Sequence, residues 1–214
     1  MKGKNSYIGI ALIILLFGTY AIPKIVNRFK GTTLEKFEKV PDFKFVDQKG
    51  DTITNDSYLG KVYVLEFFFT TCPTICPIMN TKMVELQNEF FGNPNFGIAS
   101  ISINPEFDTP EVLQEYAVKY KVSNPNWHLL TGQPEQVVFD LANQGFKLYA
   151  GVGSKEVGGF EHSGLFALVD KEGYIRSRVD EHGNPIKFYN AIADKYASDQ
   201  IQELKEDIKI LLEE

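Results

Sequence analysis

Cysteine is almost absent from this chain. Its 214 residues hold two, Cys72 and Cys76, and only three histidines, His128, His162 and His182. Any thiol chemistry therefore runs through one pair. Basic surface is scarce too. The formal net charge is −6; residues 1–30 carry five basic side chains and no acid, so the rest carries 17 basic against 28 acidic, a net of −11. An acidic body excludes a nucleic-acid binder, which needs basic surface. No internal repeat or low-complexity tract is present. What is plentiful is apolar and aromatic material: 43% hydrophobic residues, with 17 Phe and 10 Tyr. That is enough for the core of one domain with a small appendage.

The appendage is at the front. Tyr7 to Ile22 carries no charge, with Lys2 and Lys4 before it and Pro23 and Lys24 after it. A helix of that length, at about 1.5 Å per residue, spans a thin hydrocarbon core once its flanks are added. A cleaved secretory signal shares the basic start and short apolar centre. No clean small-x-small cleavage site follows, since Thr19-Tyr20-Ala21 has a bulky centre and Ile22-Pro23 is a poor start for a mature chain. No cysteine lies nearby, which excludes a lipoprotein anchor. We therefore expect a membrane anchor over 1–23, a polar linker over 24–40 and a folded domain over 41–214. A body able to form a disulfide points to export, with the domain on the periplasmic face of a bacterial cytoplasmic membrane.

Within the domain, Phe43–Val46 and Thr52–Thr54 read as a hairpin around a Gly-containing turn. Lys61–Phe69 is nearly all apolar, as in a central strand covered on both faces. Pro77 suits a first helical turn, and Met79, Met83, Leu86 and Phe90 continue at helical spacing. Phe96–Ile103 is a strand; Thr109-Pro110 starts a helix to about Tyr120. Trp127–Leu130 is a strand, Gln133–Asn143 a helix and Phe146–Tyr149 a strand candidate. Residues 151–164 hold five glycines and read as a mobile loop. Leu165–Val169 and Tyr174–Val179 form a second hairpin, and a helix capped by Ser198 or Asp199 closes the chain with Ile201, Leu204, Ile208 and Leu211 on one stripe. The order fits an α/β fold, a thioredoxin-like mixed sheet flanked by helices.

The two cysteines sit where the central strand feeds its helix, in Cys72-Pro73-Thr74-Ile75-Cys76-Pro77. Three intervening residues are one more than in the C-x-x-C of thiol oxidoreductases. In a helix, i and i+4 share a face, so both sulfurs point one way. That suits a soft ion such as Cu(I), or a disulfide if the backbone closes. The helix N-terminus favours thiolate. Two sulfurs leave copper short of ligands, and imidazole is the natural third. His162, at the end of the glycine-rich segment, is the best placed. His128 reads as a packed histidine and His182 as part of a solvated turn. Met79 and Met83 lie on the cysteine face as conceivable thioether ligands, but their stripe with Leu86 and Phe90 reads as core.

Four runs, Phe67 to Met83 (FFFTTCPTICPIMNTKM), Ser102 to Tyr120, Trp127 to Gly132 and Glu161 to Arg176, resemble the SCO/SenC family of copper proteins over roughly residues 41–212. The resemblance implies a thioredoxin fold on one N-terminal membrane helix. It implies copper held by Cys72, Cys76 and His162, and a role in assembling the binuclear copper centre of cytochrome c oxidase. Asn104 departs from the pattern, since the family often has aspartate there; asparagine supplies no charge. Asp108 could compensate, although helix capping is its simpler reading.

Two classes of function follow. One is a metallochaperone that binds and passes on copper, with the cytochrome c oxidase copper-bearing subunit as partner. The other is a thiol–disulfide oxidoreductase in which Cys72 and Cys76 are the catalytic pair and His162 a base. A third option, a peroxidase of the peroxiredoxin kind, is weaker, because no proline lies in Lys61–Thr71 and Leu65 stands seven before Cys72.

Overall fold

The computed structural model describes residues 33–193 and 198–214, together with Ala11, Leu15 and residues 17–19, which are helical. The expected anchor lies almost wholly outside the described residues. Among the described residues, no helix is long and apolar enough to cross a membrane.

Leu34–Glu214 forms one unit. Its centre is strand β4 (Val62–Phe68), all seven residues buried. This is the arrangement its unbroken apolar pattern predicts. It pairs in parallel with β5 (Phe96–Ser102) and antiparallel with β9 (Leu165–Val169). Beyond β5 come β6 (Trp127–Thr131), then β2 (Lys44–Asp47) and β3 (Thr52–Thr54). Beyond β9 lie β10 (Tyr174–Ser177) and β1 (Glu35–Lys39), while β11 (Tyr189–Asn190) also pairs with β9. Helices α1 (Cys76–Glu89) and α2 (Pro110–Tyr120) follow β4 and β5, α3 (Glu135–Asp140) follows β6, and α4 (Ile201–Glu213) ends the chain. The result is the expected thioredoxin-like mixed sheet.

Three expectations need correction. Residues 35–39, read as linker, are edge strand β1: a charged strand with one inward apolar position, Phe37, suits a sheet edge. Phe146–Tyr149 is not a strand. The helix runs on through a π-turn at Leu141–Phe146, and Leu148 then packs its side chain in the core. The glycine-rich segment is also more ordered than a loop. Strands β7 (Ala150–Val152) and β8 (Phe160–His162) pair into a two-stranded ribbon separate from the main sheet.

Candidate metal centre

The site stands at the carboxyl ends of the parallel strands, where open α/β sheets place ligands. After Phe68 the chain turns, the Cys72 amide donating to the Phe69 carbonyl at 3.2 Å. Helix α1 starts at Cys76 with Pro77 in its first turn and no side-chain cap at Ile75. The Cys72 sulfur takes the place of that cap. It accepts the Cys76 amide at 3.5 Å and lies 3.6 Å from the Thr74 hydroxyl. A helix start offers unpaired N–H groups and a partial positive charge, so an anion there is stabilised.

His162 arrives from the other side, at the end of the ribbon. It faces Ala150 across the ribbon, and Ser163 N–H donates to the Tyr149 carbonyl at 2.9 Å. Its Nε2 lies 2.9 Å from Cys76 Sγ and its Nδ1 3.0 Å from the Ser163 carbonyl. With Nδ1–H donating to that carbonyl, the Nε2 lone pair is left facing the sulfurs. Phe69 packs edge-on to the imidazole, the ring centres 5.9 Å apart. One atom from each of Cys72, Cys76 and His162 lies within 4.8 Å of the others, and all three residues are buried. Both cysteines are free thiols. Two soft sulfurs and a borderline nitrogen form a donor set for Cu(I) or Cu(II), and the fit is good.

The two sulfurs differ electrostatically. The hydrogen bond from Cys76, joined by His162 and the backbone N–H groups of Cys76 and Thr74, holds the Cys72 thiol far below its usual range despite burial. Burial pushes Cys76 the other way, and the neighbouring Cys72 thiolate adds to the shift. The arrangement is thus a thiolate beside a thiol whose proton faces an imidazole. An opening of about 230 Å³, walled by Ile75, Tyr149 and Phe160, leads to Cys72 and His162.

The remaining candidates go elsewhere. His128 binds Asp47 through Nδ1 at 2.9 Å and packs on Tyr58, as a packed histidine does. His182 is exposed. Met79 and Met83 are fully buried in the core stripe. Asn104 acts through its backbone, its amide donating to Ser102 Oγ and its carbonyl accepting from Phe107 and Asp108. Asp108 does not cap α2; Thr109 does, its hydroxyl accepting the Val112 amide at 3.4 Å. Asp108 instead turns inward, and its oxygens accept from Thr70 and Ser102.

Two features escaped the sequence reading. Gly158, at φ +90°, lies where a Cβ would meet Phe69 at 3.0 Å and Pro73 and the Thr71 carbonyl at 3.2 Å, so the ribbon's turn rests on the cysteine loop. A glycine at a turn is the available signal, though five glycines share the segment. Glu66, in the middle of β4, is fully buried and accepts the Ser100 hydroxyl at 2.8 Å through Oε1. Burial raises its carboxyl to about 8, against the pull of that hydrogen bond. A lone acid in an apolar strand marked it.

Fold and site together define a thioredoxin-like protein with a dithiol–imidazole centre at the mouth of its central strand. The chain belongs to the SCO1/SenC family, whose model matches residues 31–197. It is 31% identical over 170 residues to the SCO1 protein homolog of Bacillus subtilis strain 168, covering 78% of this chain and 81% of the relative. Among solved structures it is similar to BsSco, in which a disulfide switch was identified and which is described as a member of the Sco family of cytochrome c oxidase assembly proteins. That match has 28% identity and a TM-score of 0.67, over 81% of this chain and 93% of the other. The fold is shared with ScoI of Bradyrhizobium japonicum, solved with copper bound, at 22% identity and a TM-score of 0.61 over 82% of this chain and all of the other.

Proposed function

We propose that this protein is a copper metallochaperone of cytochrome c oxidase assembly. Cys72, Cys76 and His162 hold one copper ion as cargo and pass it to the copper-bearing subunit of the oxidase. The observation that carries the reading is the convergence of two sulfurs and an imidazole nitrogen within 4.8 Å. The uncharged run Tyr7–Ile22, with basic residues on both sides, supports a single membrane anchor, and a body able to form a disulfide supports the periplasmic side of a bacterial cytoplasmic membrane for the domain. Copper bound in a fold relative, and oxidase assembly attached to another member of the family, support the cargo and the destination.

The chain's own groups suit transfer. The Cys72 thiolate is ready to coordinate; Cys76 must first lose its proton, and the imidazole facing it is the acceptor. The opening beside Cys72 admits an incoming sulfur, which can replace ligands one at a time. The test is anaerobic titration of the full chain in detergent with Cu(I) against a competing chelator. One tightly held copper per chain is expected, and failure to compete at all would overturn the reading.

A second reading has its own support in the unequal thiols and in the disulfide switch of the relative BsSco. The Cys72 thiolate attacks a target disulfide and expels one target thiolate. Cys76, giving its proton to His162, then attacks the Cys72 sulfur and releases the second target thiolate, leaving Cys72–Cys76 oxidised and the target reduced by two electrons. A small-molecule thiol would restore the dithiol. Fast reductase turnover by metal-free protein with negligible copper affinity would favour this reading.

A further inference from the structure

A carboxylate outside the donor set reaches the cysteine loop. Asp108 is fully buried at the end of the β5–α2 turn. Thr70 N–H donates to its Oδ2 at 3.1 Å, the Thr70 hydroxyl donates to its Oδ1, and Ser102 Oγ donates to Oδ2 at 2.5 Å. Ser102 Oγ in turn accepts the Asn104 amide at 3.1 Å, and the Asp108 amide donates to the Asn104 carbonyl at 2.9 Å. Burying a carboxylate is costly unless donors surround it. The start of α2 does not need this one, because Thr109 caps it. What the two Thr70 donors achieve is a link across 38 residues, from the β5–α2 turn to Thr70, two residues before Cys72.

The link falls where regular pairing stops. The last bond between the two chain segments is Ile103 N–H to the Phe68 carbonyl at 2.9 Å. Thr70 is then held at both its amide and its hydroxyl. Further along the loop, the Thr71 carbonyl and Pro73 lie against Gly158 of the ribbon. The cysteine loop is therefore held by two contacts, a polar clamp at Thr70 and a close approach at Gly158.

We propose that Asp108 is a positioning residue of the metal centre: by fixing Thr70 it sets the geometry in which Cys72 and Cys76 present their sulfurs. The proposal rests on the copper reading above for its metal readouts. An asparagine at 108 fits the same clamp, its carbonyl replacing Oδ2 and its amide donating to the Thr70 hydroxyl. An alanine leaves three donors orphaned.

The test compares wild type, Asp108→Asn, Asp108→Ala and Thr70→Val as full chains. In metal-free protein, Asp108→Ala should speed hydrogen exchange at the Thr70 amide and change the rate at which iodoacetamide alkylates Cys72. With copper, it should lower Cu(I) affinity by roughly 10- to 100-fold, as loss of outer partners does, and shift the Cu(II)–thiolate absorption bands. Asp108→Asn should restore both to within about threefold of wild type, and Thr70→Val, which loses one donor of three, should fall between. A folded Asp108→Ala with faster Thr70 exchange but wild-type alkylation, spectrum and affinity would overturn the proposal. So would an Asp108→Asn as impaired as the alanine variant, since charge would then matter and not the clamp. If Asp108→Ala does not fold, a Thr70→Val identical to wild type in all readouts overturns it. If the wild type binds no copper, the copper reading fails alone, and Thr70 exchange with Cys72 alkylation still decides the clamp.

Discussion

The cysteine loop and the histidine ribbon supply donors to one site but are held very differently. The cysteines hang from β4, buried along its whole length and paired residue by residue with β5 from Val62 to Phe68. The ribbon consists of two three-residue strands paired to each other and outside the main sheet. It leans on the body through Gly158 and through Phe160, whose ring centre lies 5.6 Å from that of Phe69. Local stability follows burial and pairing, so the ribbon opens at lower free energy than the strand beneath the sulfurs. Under the proposed function the difference would divide the labour: the fixed dithiol to capture the ion, the more weakly held imidazole to govern its release.

Replacing a sulfur should have the largest effect. Cys76→Ala, or Cys72→Ala, should abolish stoichiometric copper binding in metal analysis of anaerobically purified protein. His162→Ala should weaken Cu(I) binding less than either cysteine change and move the visible bands of Cu(II). Equal losses from the histidine and cysteine variants would erase the contrast between the two regions. Gly158→Ala sharpens it further. The added methyl clashes with the cysteine loop, and a positive φ costs a non-glycine residue on the order of 1 kcal/mol. Copper transfer to an external chelator should speed up by a few-fold, with the spectrum of the loaded protein unchanged; an unchanged rate would show that the ribbon's turn does not control release.

The smallest effect belongs to the fixed half alone. Glu66 has its carboxyl raised to about 8 in the fold, against 4.5 for a free one. The folded state therefore holds a proton that the unfolded state has lost between those values. Its stabilising contribution is complete below about pH 4.5 and disappears as pH rises through 8. Glu66→Gln should flatten the decline of melting temperature between pH 5 and 9, each 1 kcal/mol appearing as roughly 2–4 °C. Parallel curves for variant and wild type would place the titration on another group.

What the sequence disclosed tracks how local each signal is. The apolar run of β4, the Cys-Pro helix start and the Thr109-Pro110 cap depend on neighbours in the chain, and all appear where expected. His162 was singled out as third donor by its position before β9 and by scarcity of alternatives. Strand β1 was missed because its pairing partner, β10, lies more than 130 residues away and its own pattern is charged. The ribbon was missed because glycines carry no alternating side chains to announce a strand. Asp108 was misjudged because Asp-Thr-Pro satisfies every rule for a helix start, while its true partner is 38 residues distant. Such long-range polar links leave no periodic trace.

The cap that α1 lacks, and that Cys72 provides, biases the redox balance of the centre. Joining the two sulfurs would replace an anion at the positive end of the helix with a neutral atom, forfeiting that attraction. The dithiol is thus the favoured partner in the couple, and its disulfide an electron-hungry one. Equilibration with glutathione should accordingly leave the protein reduced and competent to take up its ion.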